Sequence, residues 1–88
     1  MIKEFDNVVL TADLPEFGLA AGDVGTIVMV HGKNEGYEVE FMTLDGETLA
    51  VTSLPASHVR PISHGEITHV RLVMLAHYRP LQTDVFVR

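Results

Sequence analysis

A five-residue stretch, Tyr37 to Phe41, constrains the fold of this chain more than any other part of the sequence. Apolar and acidic residues alternate strictly along it, and a period of two is typical of a β-strand with one buried face. Tyr37, Val39 and Phe41 are therefore predicted to face a core, while Glu38 and Glu40 face outward. The stretch predicts a sheet protein with one buried and one solvated sheet face.

The residues before this strand predict its hairpin partner. A β-branched, apolar run of strand length spans residues 26–31, and the polar, glycine-bounded segment 32–36 can reverse the chain. Apolar residues occupy both faces of this first strand, which indicates either a central strand or a bent one. Gly22 and Gly25 precede it, and they predict a tight turn because glycine adopts positive φ at little cost.

Three further strands are predicted in FDNVVLT at 5–11, TLAVT at 48–52 and VRPI at 59–62. Asp45-Gly46 is a strong hairpin signal before the second of these strands. Phe17 is expected to pack as a plug beneath the long connection that contains it. Short strands separated by glycine turns favour a small barrel. The predicted fold is therefore mainly β, with a small five-stranded barrel over residues 1–62.

Residues 63–88 are predicted to form a C-terminal extension made of a short helix and then a terminal strand. Ser63 and Glu66 fit a capping box at the start of a helix. The β-branched residues between 67 and 74 are also compatible with a strand, so both alternatives stay open. The apolar residues of this extension predict packing on the barrel or on a second subunit, as a homodimer. The candidates for that role are Val70, Met74, Tyr78 and Phe86.

The net charge of −6 is distributed unevenly along the chain. Residues 1–59 hold ten acidic residues and two lysines, whereas residues 60–88 hold four arginines and two acidic residues. An acidic body repels phosphate backbones, whose neutralisation dominates nucleic-acid affinity. The composition therefore favours a basic protein partner over a nucleic acid.

The sequence offers little to support enzymatic chemistry. It has no cysteine, so neither a disulfide nor a thiolate metal site is expected. His64, His69 and His77 are not spaced three or four apart, as two ligands on one helical turn would be, and we expect no metal. The serines lie outside nucleophile motifs, and Gly22-x-x-Gly25 precedes a strand instead of opening a helix. We expect no catalytic residue and no cofactor.

The N-terminal residues are charged and enter the first predicted strand at once, so no signal peptide is expected. Apolar runs are shorter than the roughly 18 residues that a membrane span needs. We therefore expect a cytoplasmic protein without a membrane partner.

Several short segments carry a family resemblance: DNVVL at 6–10, DLP at 13–15, GDVGTIV at 22–28, YEVEF at 37–41, and LP followed by VRP between 54 and 61. On these segments the chain resembles small bacterial SH3-like barrels. More closely, it is similar to a family of short proteins catalogued only as a domain of unknown function. Some members lie beside toxin or plasmid-maintenance genes, so the resemblance implies a partner or antitoxin-like role. It implies no catalytic or binding residue.

These observations predict a non-enzymatic protein-interaction module, either antitoxin-like or an accessory partner of a basic protein. Glu38 and Glu40 are the predicted partner-binding residues, on an acidic sheet face suited to a basic protein. A solvated sheet face without a function would produce the same alternation. The alternative function is a KOW-like RNA-binding barrel, with Arg60 and Arg71 among the basic residues available for it.

Overall fold

The computed structural model describes residues 1–73, which form one five-stranded antiparallel sheet with almost no helix. The strand bounds are β1 Asn7–Leu10, β2 Val24–His31, β3 Gly36–Met42, β4 Thr48–Pro55 and β5 Val59–Pro61. The spatial order of the strands is β4-β3-β2-β1-β5. Single turns of 3₁₀ helix occupy Pro15–Phe17, between β1 and β2, and Ala56–His58, between β4 and β5. The predicted mainly β fold with five strands is confirmed.

The alternation in β3 builds the centre of the core, as the sequence predicts. Tyr37, Val39 and Phe41 are buried, whereas Glu38 and Glu40 between them remain partly exposed. The side chain of Phe17 packs partly buried against the same core, which confirms the predicted plug. The other residues of the core cluster are Val8, Leu10, Leu14, Leu19, Ile27, Leu54 and Val59.

A β-bulge explains why both faces of β2 are apolar in sequence. Ile27 pairs with Val39, and the next pair joins Met29 to Glu38, so Val28 is an extra residue in the ladder. A bulge of this kind bends the strand and shifts the alternation by one. Ile27 is consequently buried in the core, and Met29 is 49% exposed on the opposite face. β2 is also the central strand of the sheet, paired with β1 and β3, so both features that the sequence offered as alternatives are present.

Gly25 has a different role from the predicted turn. It lies within β2, where it pairs with Val8, and only Gly22 adopts a positive φ, of 99°. A Cβ on Gly25 would lie 2.6 Å from Cγ1 of Val39 and 2.7 Å from Cε1 of Phe41. The tight turn therefore depends on Gly22. Gly25 instead lets two core side chains approach the backbone of β2.

The predicted helix after residue 63 is wrong for the part of the extension that the structure describes. The Ser63 amide donates to Oε1 of Glu66 at 2.6 Å, which is one half of a capping box, but the Glu66 amide donates to the Ser63 backbone carbonyl and not to its hydroxyl. Gly65 adopts a φ of 85°, which no right-handed helix tolerates, so the chain turns once and does not continue as a helix. Residues 66–73 form neither helix nor strand. The predicted terminal strand at 84–88 lies outside the described residues.

Candidate functional site

Glu38 and Glu40 lie next to each other on the outer face of β3, where the sequence predicts them. Antiparallel pairing places Glu38 between Met29 of β2 and Ser53 of β4. In the same way, Glu40 lies between Thr26 of β2 and Val51 of β4. Each carboxylate therefore stands in the middle of a row of side chains that crosses three strands.

The carboxylate of Glu38 accepts two hydrogen bonds from neighbouring strands. The Ser53 hydroxyl donates to its Oε2 atom, and Nε2 of His31 lies 3.3 Å from the same oxygen. The Ser53 hydrogen bond and then the His31 hydrogen bond hold the pKa of Glu38 below its usual value. The arrangement therefore favours an ionised carboxylate on this face.

The cluster of His31, Glu38 and Ser53 is not arranged as a nucleophile with its base. In a catalytic triad the imidazole takes the proton of the hydroxyl, and the carboxylate orients the imidazole. Here the carboxylate lies between the other two groups, and it is the acceptor for Ser53. The geometry therefore stabilises the negative charge of Glu38 and does not activate the serine.

Exposed apolar side chains border the two glutamates. Met29 and Val51 are 49% and 54% exposed, and they occupy the rows of Glu38 and Glu40, respectively. The Thr48 hydroxyl donates to Oε2 of Glu40 at 2.8 Å, which fixes that carboxylate over the start of β4. We call the surface formed by Met29, Glu38, Glu40 and Val51 the acidic face.

The three strands that form the acidic face, β2, β3 and β4, contain no lysine or arginine. Residues 34–59, which include β3 and β4, contain no lysine or arginine. The acidic residues in this range are Glu35, Glu38, Glu40, Asp45 and Glu47. The face therefore combines negative charge with accessible apolar surface, and this combination suits the long, partly apolar side chains of lysine and arginine.

A second surface, which the sequence did not predict, is a cleft of about 770 Å³. Its walls come from the sheet, from the turns before β2 and β4, and from residues 66–73, which we call the strap. The sequence signal for this cleft is the recurrence of apolar residues at 62, 67, 70 and 72 beyond the last strand. The exposed apolar residues that line it are Val24, Met42, Leu44, Ile62, Ile67, Val70 and Leu72.

Only one predicted tail residue can be placed. Val70 lies in the strap, lines the cleft and is 72% exposed. Met74, Tyr78 and Phe86 lie outside the described residues. The role of these four residues in tail packing or self-association stays a prediction.

Two bidentate ion pairs attach the strap to the sheet domain. Arg60 of β5 donates to Oε1 and Oε2 of Glu66 at 3.0 and 2.6 Å. Arg71 donates from Nε to Oδ1 of Asp23 at 2.8 Å, and its Nη2 contacts Oδ2 of Asp23 and the Gly18 carbonyl. Bidentate guanidinium–carboxylate pairs are directional, so they fix the course of the strap over the cleft.

The pKa values of both carboxylates reflect these contacts. The Arg60 hydrogen bond, and then that of the Ser63 amide, lower the pKa of Glu66 to about 2. Burial raises the pKa of Asp23, but the hydrogen bonds from Arg71 and the Ala20 amide outweigh it, and the net shift is downward. Both pairs are therefore charged at neutral pH.

Among residues 1–73, no group of three or more histidine or carboxylate side chains is close enough to bind a metal ion. No helix in that part of the chain is long and apolar enough to cross a membrane.

The domain of unknown function DUF4926 matches residues 4–61 of the chain. No curated protein and no solved structure matches this chain. The matched range contains all five strands, and it includes Asp23 and Arg60 but ends before Glu66 and Arg71. The strap thus lies beyond the matched range, whereas the residues that hold it lie within that range. Because the match covers well over half of the sequence, the chain belongs to the DUF4926 family.

Proposed function

We propose that this protein is a non-enzymatic interaction module whose acidic face binds a basic segment of another protein. The observation that carries the proposal is the placement of Glu38 and Glu40 side by side on one sheet face, within a range of the sequence, 34–59, that has no lysine or arginine. An antitoxin-like or accessory role in the cytoplasm is the setting that fits this activity.

The chemistry of the face supports a basic partner. A lysine or arginine of the partner can lay its aliphatic stem on Met29 or Val51 and place its charge beside a glutamate. The hydrogen bond from Ser53 keeps the pKa of Glu38 low, so the carboxylate stays ionised for such a contact. Complementary charge of this kind raises the association rate and selects partners more than it adds affinity.

The fold that we propose for the domain is an SH3-like barrel. The strand order β4-β3-β2-β1-β5 and the 3₁₀ turn between β4 and β5 support this classification. SH3-like barrels host many functions, so the functional argument depends on the acidic face and not on the fold.

A comparison of two double variants tests the proposal. E38Q/E40Q removes two charges from the acidic face, and E4Q/E16Q removes the same number from exposed positions elsewhere. Tagged proteins would be used to capture partners from the native cell, with quantification by mass spectrometry. We expect the wild-type protein to capture a basic protein. Relative to the wild type, its capture should fall tenfold or more with E38Q/E40Q and be unchanged with E4Q/E16Q. Equal capture by the two double variants would contradict the proposal.

A separate titration with a single-stranded RNA oligonucleotide tests the alternative function, a KOW-like RNA-binding barrel. Phosphate-driven binding would weaken steeply as the salt concentration rises. The two arginines available in the described chain, Arg60 and Arg71, already donate to Glu66 and Asp23. We therefore expect weak RNA binding, and tight binding with a steep salt dependence would favour the alternative.

A further inference from the structure

The two outermost strands of the sheet differ in how open they are to pairing. β4 has eight residues, and within residues 1–73 it pairs with β3 alone. β5 has three residues, Val59–Pro61, and two of them carry features that protect an edge. Arg60 supplies a charge, and Pro61 lacks an amide hydrogen. β4 is therefore the edge at which a further strand can add.

The sequence of β4 lacks such protection along most of its length. Thr48 to Leu54 includes no charged residue and no proline, and Pro55 comes only at its end. Ala50 and Leu54 are buried, whereas Val51 and Ser53 are exposed on the outer face. An edge of this length with a half-buried pattern is a template for β-augmentation, because alternate backbone groups along it point away from β3.

We propose that β4 binds an extended basic segment of the partner as a sixth strand of the sheet, an inference that rests on the proposed function. The segment is recognised by backbone hydrogen bonds along β4 and by arginine or lysine side chains two residues apart. Successive side chains on one face of a strand are spaced by two, which matches the two rows that contain Glu38 and Glu40.

The row geometry gives each basic side chain a defined path. Neighbouring strands are about 4.8 Å apart, so an added strand would place its side chains roughly 10 Å from the backbone of β3. One basic stem would cover Val51 and reach the carboxylate of Glu40, its partner in the ladder. The next would pass over Ser53 toward Glu38. An arginine or lysine side chain is long enough to span this distance when a glutamate extends toward it.

Charge argues against a second copy of this chain as the added strand. Pairing β4 with the β4 of another copy would bring together two segments, residues 34–59, that each hold five acidic residues and no lysine or arginine. β4 itself carries no charge, but the acidic residues that flank it would be juxtaposed across the new interface, and juxtaposed like charges are unfavourable. A basic partner gains from the same arrangement, so the occupant that the observations favour is a different protein.

Synthetic peptides test the inference with the full-length protein. The probe is a nine-residue peptide, blocked at both ends, in which arginine alternates with threonine. A first control replaces every arginine by glutamine. Two further controls retain arginine but carry N-methyl groups on one or the other set of alternate amides. Binding of each would be measured by calorimetry at low salt.

We expect the arginine peptide to bind, and one N-methylated version to bind at least tenfold more weakly while the other is unchanged. Only one set of amides can face β4, which is why the two versions should differ. Equal binding of the parent and both N-methylated peptides would overturn strand addition and leave the proposed function standing. Equal binding of the glutamine peptide would overturn the proposed function itself. No binding of the arginine peptide would also overturn strand addition.

Hydrogen exchange gives a second, independent measurement. In the free protein, the amides of β4 that point away from β3 should exchange quickly, and the arginine peptide should protect them. The amides of β5 serve as the control and should be unaffected. Protection of the outward β4 amides in the free protein would overturn the inference. The edge would then have another occupant, such as another segment of this chain or a second copy.

Discussion

Arg71 donates two hydrogen bonds to the carboxylate of Asp23, 48 positions earlier in the chain. The same carboxylate accepts the amide hydrogen of Ala20 at 2.8 Å, so it also closes the turn before β2. The Asp23 side chain therefore stabilises the domain that matches the family and also attaches the strap, which lies beyond the matched range. Removing Asp23 should consequently affect both the domain and the strap, whereas removing Arg71 should affect mainly the strap.

We predict that Asp23→Ala destabilises the protein more than Arg71→Ala. Arg71→Ala removes a partly exposed ion pair, and its cost should be below about 1 kcal/mol. Asp23→Ala also removes the hydrogen bond to Ala20, and its cost should be about 1–2 kcal/mol. Urea denaturation measures both values, and the heteronuclear NOE of amides 66–73 should fall in both variants. An unchanged NOE in Arg71→Ala would show that this pair does not hold the strap.

The ion pair between Arg60 and Glu66 should persist to low pH. The pKa of Glu66 is lowered from 4.5 to about 2, so the stabilisation from this pair is fully present above pH 4.5. It is lost as the pH falls from 4.5 toward 2, because the carboxylate is then protonated. An NMR titration of the Glu66 carboxyl carbon should give a midpoint near 2. In Arg60→Gln the midpoint should move up toward 4.5, and a wild-type midpoint already near 4.5 would contradict the prediction.

Gly25→Ala should destabilise the core by overpacking. The added Cβ would lie 2.6 Å from Cγ1 of Val39, inside any normal contact distance. Overpacking of a core typically costs about 1–3 kcal/mol. A second change, Val39→Ala, removes one of the two clashing groups and leaves the Phe41 ring, so the double variant should be more stable than the sum of the two single effects predicts. Purely additive effects in urea denaturation would mean that Gly25 is needed for a different reason.

Phe41→Ala should be far more costly than Met42→Ala, its neighbour in sequence. Phe41 is buried in the core, and truncating such a residue costs about 3–5 kcal/mol. Met42 is exposed on the other face, and its truncation should cost less than about 1 kcal/mol. The comparison tests the alternation of β3 directly by chemical denaturation. Similar costs for the two variants would disprove that alternation.

The parts of the fold that the sequence predicts are those set by local pattern. The alternation from Tyr37 to Phe41 is sufficient to assign β3 and its two faces, and Asp45-Gly46 locates the turn before β4. The outward placement of Glu38 and Glu40 follows from the same alternation. These features can be predicted without knowing which distant residues they contact, because alternation along a strand is enough to assign its buried and exposed faces.

The parts that the sequence does not predict depend on backbone conformation or on distant contacts. One of the two hydrogen bonds of the capping box forms, from the Ser63 amide to Glu66, but Gly65 in a left-handed conformation prevents the helix that the motif predicts. All residues from Ile27 to Val30 are apolar, so the pattern indicates a bend without locating the bulge. The contact of Arg71 with Asp23 joins two loops, and no spacing rule connects residues so far apart.

The bulge at Val28 bends the sheet, but the burial of the residues on either side of it does not depend on that bend. The pairs on either side of Val28, Ile27 with Val39 and Met29 with Glu38, are already consecutive along β3. A chain shortened by that one residue would keep its neighbours on their present faces and would lose only the local bend. A single-codon deletion at this position could therefore straighten the hairpin while leaving both the hydrophobic interior and the charged exterior unchanged.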